Sequence, residues 1–280
     1  MIVVGLLLFL AGCARITDEK GMILPEFIIY LTTGFKEIMT NESWFSAFFV
    51  WPLAEAINYL APYTSILWAI VLVTVAINGL LFSFSVKSTV SSQKMQMIQP
   101  ELNKITEKYK ERKDDASRMA QAREMQNLYA KHDIKPFGSL FITFAQFPII
   151  IAMYRAVQRA EAVVNASFMG SKLVETPMFG LKNGQLVLFI IFVIMAVMQF
   201  ASMMLPQYLA KKRAMNKPRA SLEENKTPNT MMMMIPMLGL ILVLAINWPT
   251  AMSLYWLITS VVNIVKTLFI QWRYIDNEKV

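Results

Sequence analysis

Apolar residues in this chain come in blocks of roughly 20, the length of helix that crosses ~30 Å of hydrocarbon. The first block occupies 63–86 and stops at Lys87; the second, 137–157, opens after Pro136. The third covers 184–206, the fourth 231–247 and the fifth 251–271, the last two joined by the short turn Trp248–Thr250. Each is read as a transmembrane helix. Ahead of them, "ESWFSAFFVWPLAEAINYLAP" gathers Trp44, Phe45, Phe48, Phe49 and Trp51 but is interrupted by Pro52 and Glu55. That pattern suits an aromatic-rich helix lying in the membrane interface rather than a span.

Between the first two spans the pattern turns amphipathic. Ile98, Leu102, Ile105 and Tyr109 recur at 4-3-4 spacing, and Ala122, Met125 and Tyr129 at 3-4. This is the seam of two packed helices, Ser91–Lys110 and Ser117–His132, with "KERKDDASR" as the turn. The stretch 87–136 therefore predicts an antiparallel helical hairpin. The other long polar loop, 207–230, holds Pro218 and Pro228, shows no period and is read as mobile.

Composition agrees with a membrane protein. Hydrophobic residues make up 56% and charged residues 16%, with mean hydropathy +0.45, whereas a soluble domain is about a quarter charged. The net charge of +8 and pI near 9.5 follow from membrane topology, and no nucleic-acid binding is expected. Lys and Arg crowd the two polar loops, from Lys87 to Lys135 and from Lys211 to Lys226. The loop 158–183 offers only Arg159, Lys172 and Lys182. The basic loops are thus cytoplasmic, with the N-terminus outside and the tail 272–280 inside.

The lone cysteine excludes an internal disulfide and a cysteine-based metal site. "LLLFLAGC" places Leu10, Ala11 and Gly12 before Cys13, the lipobox pattern of bacterial lipoproteins. Residues 1–12 are then a signal peptide, Cys13 is lipidated, and 13–62 form an external segment. An uncleaved anchor is the other reading. No Lys or Arg precedes the apolar run, as would hold if the natural start lay upstream.

Asn78, Gln146, Gln199 and Asn263 each sit seven to nine residues from the cytoplasmic end of a span, roughly 10–14 Å deep. Four amides at one level would line a polar cavity open to the cytoplasm, and Ser260 belongs with them. The same amides would also serve as interhelical hydrogen-bonding glue. Gly79 reads as a close-packing residue. On the fourth and fifth spans Met231, Met234, Tyr255 and Trp256 form an adaptable apolar flank, methionine being equally an ordinary gap-filler. His132 lacks a nucleophilic partner, Lys266 is near enough to the inner end to snorkel, and no phosphate-binding glycine loop is present. No cofactor, metal or catalytic residue is expected, and the protein is read as a non-enzyme.

Segments along most of the chain from Phe48 to Trp272 resemble the YidC-type membrane protein insertases, with their Oxa-type and Albino-type relatives. "SSQKMQMIQPELNKITEKYK" is similar to the entry into that family's cytoplasmic hairpin. "LYAKHDIKPFGSLFITFAQFPIIIAMYRAV" resembles its hairpin exit and second span, with Gln146 and Pro148 in the Gln-x-Pro motif. "MQFASMMLPQ" and "LYWLITSVVNIV" resemble the third and fifth spans. With the lipobox, the whole looks like the short Gram-positive form. The resemblance implies an all-α bundle of five transmembrane helices around a hydrophilic groove open to cytoplasm and lipid but closed outside. It implies a bacterial cell-membrane insertase and chaperone acting on nascent membrane proteins, independently of or together with the Sec translocon, with the ribosome as a partner. Where the family carries an arginine in the first span, this chain has Asn78, which points to a divergent paralogue with an uncharged groove. The rival readings are a small-solute channel or transporter and a structural assembly factor. Neither an inverted repeat of broken helices nor a charged coupling residue favours transport.

Overall fold

Helices dominate the computed structural model, which describes residues 23–112, 114–134, 136–215 and 230–276. For 83–85, 87, 92, 136–145, 210, 211, 213–215, 230–235, 237, 275 and 276 it describes the backbone alone. A 3-10 turn, Pro25–Phe27, precedes α1 (Phe35–Asn41), and a π turn over Ser46–Val50 leads into α2 (Trp51–Leu60). Then come α3 (Ile66–Met97), α4 (Gln99–Tyr109), α5 (Asp115–Lys131), α6 (Pro136–Arg159) and α7 (Glu161–Val164). A two-residue antiparallel ladder, β1 (Ser167–Phe168) with β2 (Ser171–Lys172), and α8 (Pro177–Lys182) follow. Next are α9 (Leu186–Met215), α10 (Thr230–Ala245) and α11 (Thr250–Ile270), the last running into a π-helical segment over Gln271–Asp276. That small ladder and one isolated bridge aside, the described residues are all-α.

Among the described residues, Leu186–Leu209 and Thr250–Tyr274 are helices long and apolar enough to cross a membrane, and Ile66–Phe82 is a shorter apolar helix. Prolines lie inside three apolar helices: Pro148 in α6, Pro206 in α9 and Pro236 in α10. Each removes a backbone bond, which costs about 3 kcal/mol in a soluble helix. Inside a bilayer, adjacent helices and hydroxyl side chains are able to satisfy a carbonyl freed in this way.

The hairpin helices begin and end differently from the sequence reading. The α3 helix runs through Ser91 to Met97, and the break falls at Ile98 (φ −91°, ψ 2°). Pro100 sets it, because it has no N–H for the Gln96 carbonyl and its ring would collide there. At the other end Asp114 caps α5 by accepting a 2.8 Å bond from the Ser117 N–H. Ile98, Leu102, Leu128 and Ile134 form the buried seam, flanked by Met95, Ile105, Met125 and Tyr129. Ala122 is exposed, whereas Leu128, one turn on from Met125 and next to Tyr129, is buried. Lys108 and Tyr109 donate to Glu124 at 2.5 and 2.8 Å, and these bonds hold its carboxyl below the ordinary glutamate range.

The chain forms two compact units. One comprises the described residues up to Ile77 with Gln146–Ala196 and Val243–Thr259; the other comprises Asn78–Ala145, Val197–Leu242 and the described residues from Ser260 onward. In the first unit Val50, Ala54, Ile57, Ile70, Met153, Val157, Leu173, Met252 and Tyr255 build one continuous core. The loop around β1 and β2 serves the start of α11. Thr250 and Ala251 donate their N–H groups to the carbonyls of Glu175 (2.9 Å) and Leu173 (3.0 Å), satisfying donors that a helix start leaves orphaned.

Gly180, at the α8–α9 corner, has no room for a side chain. A Cβ there would lie 2.8 Å from the Gln185 carbonyl oxygen and 2.9 Å from Leu188 Cβ. Gly180→Ala should therefore cost about 1–3 kcal/mol, read as a lowered unfolding midpoint in detergent.

Candidate functional site

The structure places two of the candidate amides, Gln146 and Gln199, in hydrogen-bonded pairs. In the first unit, Gln146 on α6 is half-buried and its Nε2 donates to the hydroxyl of buried Tyr255 on α11, at a long 3.4 Å. In the second, the hydroxyl of fully buried Ser260 on α11 donates to Oε1 of half-buried Gln199 on α9 at 2.6 Å. Asn78 and Asn263 belong to the same unit and are half-buried on α3 and α11.

The flank is aromatic. Trp256 packs on Trp248 with ring centroids 5.2 Å apart, and Trp248 packs on Tyr154 at 4.9 Å. Gln158 donates to the Tyr154 hydroxyl at 3.1 Å. Met231 and Met234 lie on the described backbone of α10, but their side chains fall outside the described residues, as does Cys13 altogether.

The Ser260–Gln199 bond ties two apolar helices together. Ser260→Ala should cost about 0.6–1.7 kcal/mol, the range for such bonds inside membranes, measurable by thermal unfolding.

The sequence reading missed a second polar cluster, at the end of α6. Arg159 is fully buried and donates Nε to the Phe27 carbonyl (2.7 Å). Its terminal nitrogens form a bidentate pair with Glu42, Nη1 at 2.9 Å. Beside it the chain at Ile29 forms a parallel bridge with Ala160, through Ile29 N–H to the Arg159 carbonyl (2.7 Å) and Glu161 N–H to the Ile29 carbonyl (3.1 Å). Buried Asn58 completes the clamp, donating to the Ile29 carbonyl (2.7 Å) and accepting from the Ala162 N–H (3.0 Å). Arg155, one turn earlier on α6, is 9% exposed. Within the clamp, Arg159 and Glu42 stand 117 positions apart, so no local spacing announces them. The available signal was an arginine pair, Arg155 and Arg159, at i, i+4 on the end of an apolar helix.

On the next helix of the first unit, α2, burial raises the Glu55 carboxyl above its ordinary range.

The model of the family described as 60Kd inner membrane protein matches residues 58–278. The chain belongs to this family. The match includes every candidate polar residue of the spans and begins at Asn58, leaving out Cys13 and Glu42. MisCA of Bacillus subtilis, named a membrane protein insertase, is 29% identical over 96% of this chain and 88% of its own length. The membrane protein insertase YidC 2 of Bacillus anthracis is 29% identical over 99% of this chain and 94% of its own. The membrane protein insertase YidC of Mycoplasma capricolum is 30% identical over 81% of this chain and 58% of its own.

Proposed function

We propose that this chain is a membrane protein insertase that moves polar segments of nascent membrane proteins into the bilayer through a polar path. The observation that carries this reading is the family match over residues 58–278, together with relatives named membrane protein insertases that align over nearly the whole chain. In this reading the helices α3, α6, α9, α10 and α11 span the bacterial cell membrane, with the α4–α5 hairpin and the C-terminus in the cytoplasm. Asn78, Gln146, Gln199 and Asn263 line the path, and Trp256, Met231 and Met234 offer an apolar flank to the client's hydrophobic helix. Tyr255 and Ser260 do not face a client: both are buried, Tyr255 accepting from Gln146 and Ser260 donating to Gln199, so they position the two amides instead. The driving force is burial of that helix, about 25 cal/mol per Å² of apolar surface removed from water. A polar tail that finds amides partway across faces a smaller desolvation barrier than one crossing pure hydrocarbon.

The clamp of Arg159, Glu42 and Asn58 lies at the end of α6 that this topology puts outside, where it keeps the external mouth closed. Cys13, once lipidated, tethers the external segment to the outer leaflet. Intact-mass measurement of membrane-extracted protein should give a chain that starts at Cys13 and carries lipid; an unmodified chain retaining residues 1–12 removes this claim. The Sec translocon and the ribosome are the partners expected at the bilayer and at the hairpin.

The deciding experiment is reconstitution of the purified protein into liposomes with a small single-span client. Protease-protected client supports the insertase. Solute flux without insertion supports a transporter instead.

A further inference from the structure

We propose that Arg155 is a binding site for the phosphate of a membrane phospholipid. The proposal rests on α6 being a membrane span, and not on the insertase activity. Arg155 and Arg159 are neighbours one turn apart, both more than nine-tenths buried, yet their circumstances differ. Arg159 is held by Glu42 and the Phe27 carbonyl. Among the described residues no carboxylate lies within 4.0 Å of Arg155 and nothing accepts a hydrogen bond from it. Arg155 is a mostly buried cation whose five donors find no acceptor among the described residues, so an acceptor from outside the chain is called for. The nitrogens of Arg155 are not among the polar atoms sealed from solvent, so such an acceptor can reach them.

Helix register indicates which kind of acceptor. At 100° per residue, the most exposed arc of described α6 is centred near Phe147, Tyr154 and Gln158, and its fully buried arc contains Ala152, Met153, Ala156 and Val157. Arg155 lies at one border between these arcs. Gln146, bonded to Tyr255, lies half a turn of the wheel away, within the angular range of the buried arc. Arg155 therefore faces away from the candidate polar path and toward the edge of the lipid-facing surface. It is also one turn, about 6 Å, from the end of α6, so in a spanning α6 it sits near the end that meets the headgroups. Exposed Trp44, Phe48, Phe49 and Tyr59 in the same unit are residues that favour that interface. A phosphate offers several acceptors to the planar fork of arginine, and the side chain need not reach bulk water.

The test uses the full chain purified in mild detergent. Native mass spectrometry should find the wild-type protein retaining one phospholipid more than Arg155→Gln. Returning phosphatidylglycerol to delipidated protein should raise Tm by about 5 °C for wild type, less for Arg155→Lys, and not at all for Arg155→Gln. Equal lipid retention and equal Tm response in wild type and Arg155→Gln would overturn the proposal. So would an equal Tm gain from inorganic phosphate alone, which marks a free-anion site. A selective loss of insertion of acidic-tailed clients in Arg155→Gln, with lipid retention unchanged, would reassign the residue to a client carboxylate. A wild-type protein that stays dispersed without detergent would instead remove the membrane reading of α6 itself.

Discussion

Arg159→Met should destabilise the protein by about 3–5 kcal/mol, because it strands a carboxylate that the fold has taken out of water. Glu42 keeps only 13% of its side chain exposed, and its two oxygens are both occupied by the Arg159 guanidinium. With the arginine gone, the Phe27 carbonyl also loses its donor. Glu42→Leu should cost a similar amount from the other side, since the cation is then unpaired at zero exposure. The double variant should be much less damaged than the sum of the two, because burying two apolar groups of similar size carries no charge penalty. Thermal unfolding of the four proteins in one detergent closes the cycle, and the coupling should exceed about 2 kcal/mol. Additive single effects would mean that the pair acts through packing alone. Asn58 provides an internal comparison, as it holds the same stretch at Ile29 by neutral bonds. Its replacement by alanine should cost less, in the range of about 1–3 kcal/mol for buried groups left unsatisfied.

Why the clamp was hidden in the sequence while the helices were not follows from the range of the interactions. The blocks that became α3, α6, α9, α10 and α11 are legible because apolarity sustained over a helix length is a local property, readable one window at a time. The α4–α5 seam is legible for the same reason, through its 3-4 spacing; it departs from that spacing at Ala122, which is exposed, and at Leu128, which is buried beside Tyr129. The break at Ile98 was missed because amphipathic spacing continues across it; the steric consequence of Pro100 outweighs periodicity there. Charge was read by loop, as a topology signal, and that reading treats every arginine alike. It therefore counted Arg159 as one of the few charges of a loop and passed over Arg155, although both are buried. Partner choice across 117 residues depends on the whole fold, and no single-sequence pattern encodes it. The amides were legible as candidates but not as pairs. Ser260 with Gln199 and Gln146 with Tyr255 emerge only once helices are placed side by side.

Those pairings sharpen what Asn78 should do. Gln199 accepts a bond from a fully buried hydroxyl, so at that residue the glue role is already present in the structure. Asn78 is half-buried on α3 and is followed by exposed Gly79 and Leu80. A residue that keeps a polar path wet should report water: Asn78→Cys should react with a membrane-impermeant thiol reagent added from the cytoplasmic side. Asn78→Leu should slow insertion of polar-tailed clients about tenfold, equivalent to about 1.4 kcal/mol in the barrier, while leaving the unfolding midpoint close to wild type. Asn78→Arg is the sharper discriminator. In a hydrated path the guanidinium keeps its water and the variant stays folded, whereas in a dry interface the charge costs roughly 2.5–3.5 kcal/mol or more. An unlabelled Asn78→Cys together with a collapsed Asn78→Arg would make Asn78 a packing amide like Gln199. The polar path would then have to run elsewhere.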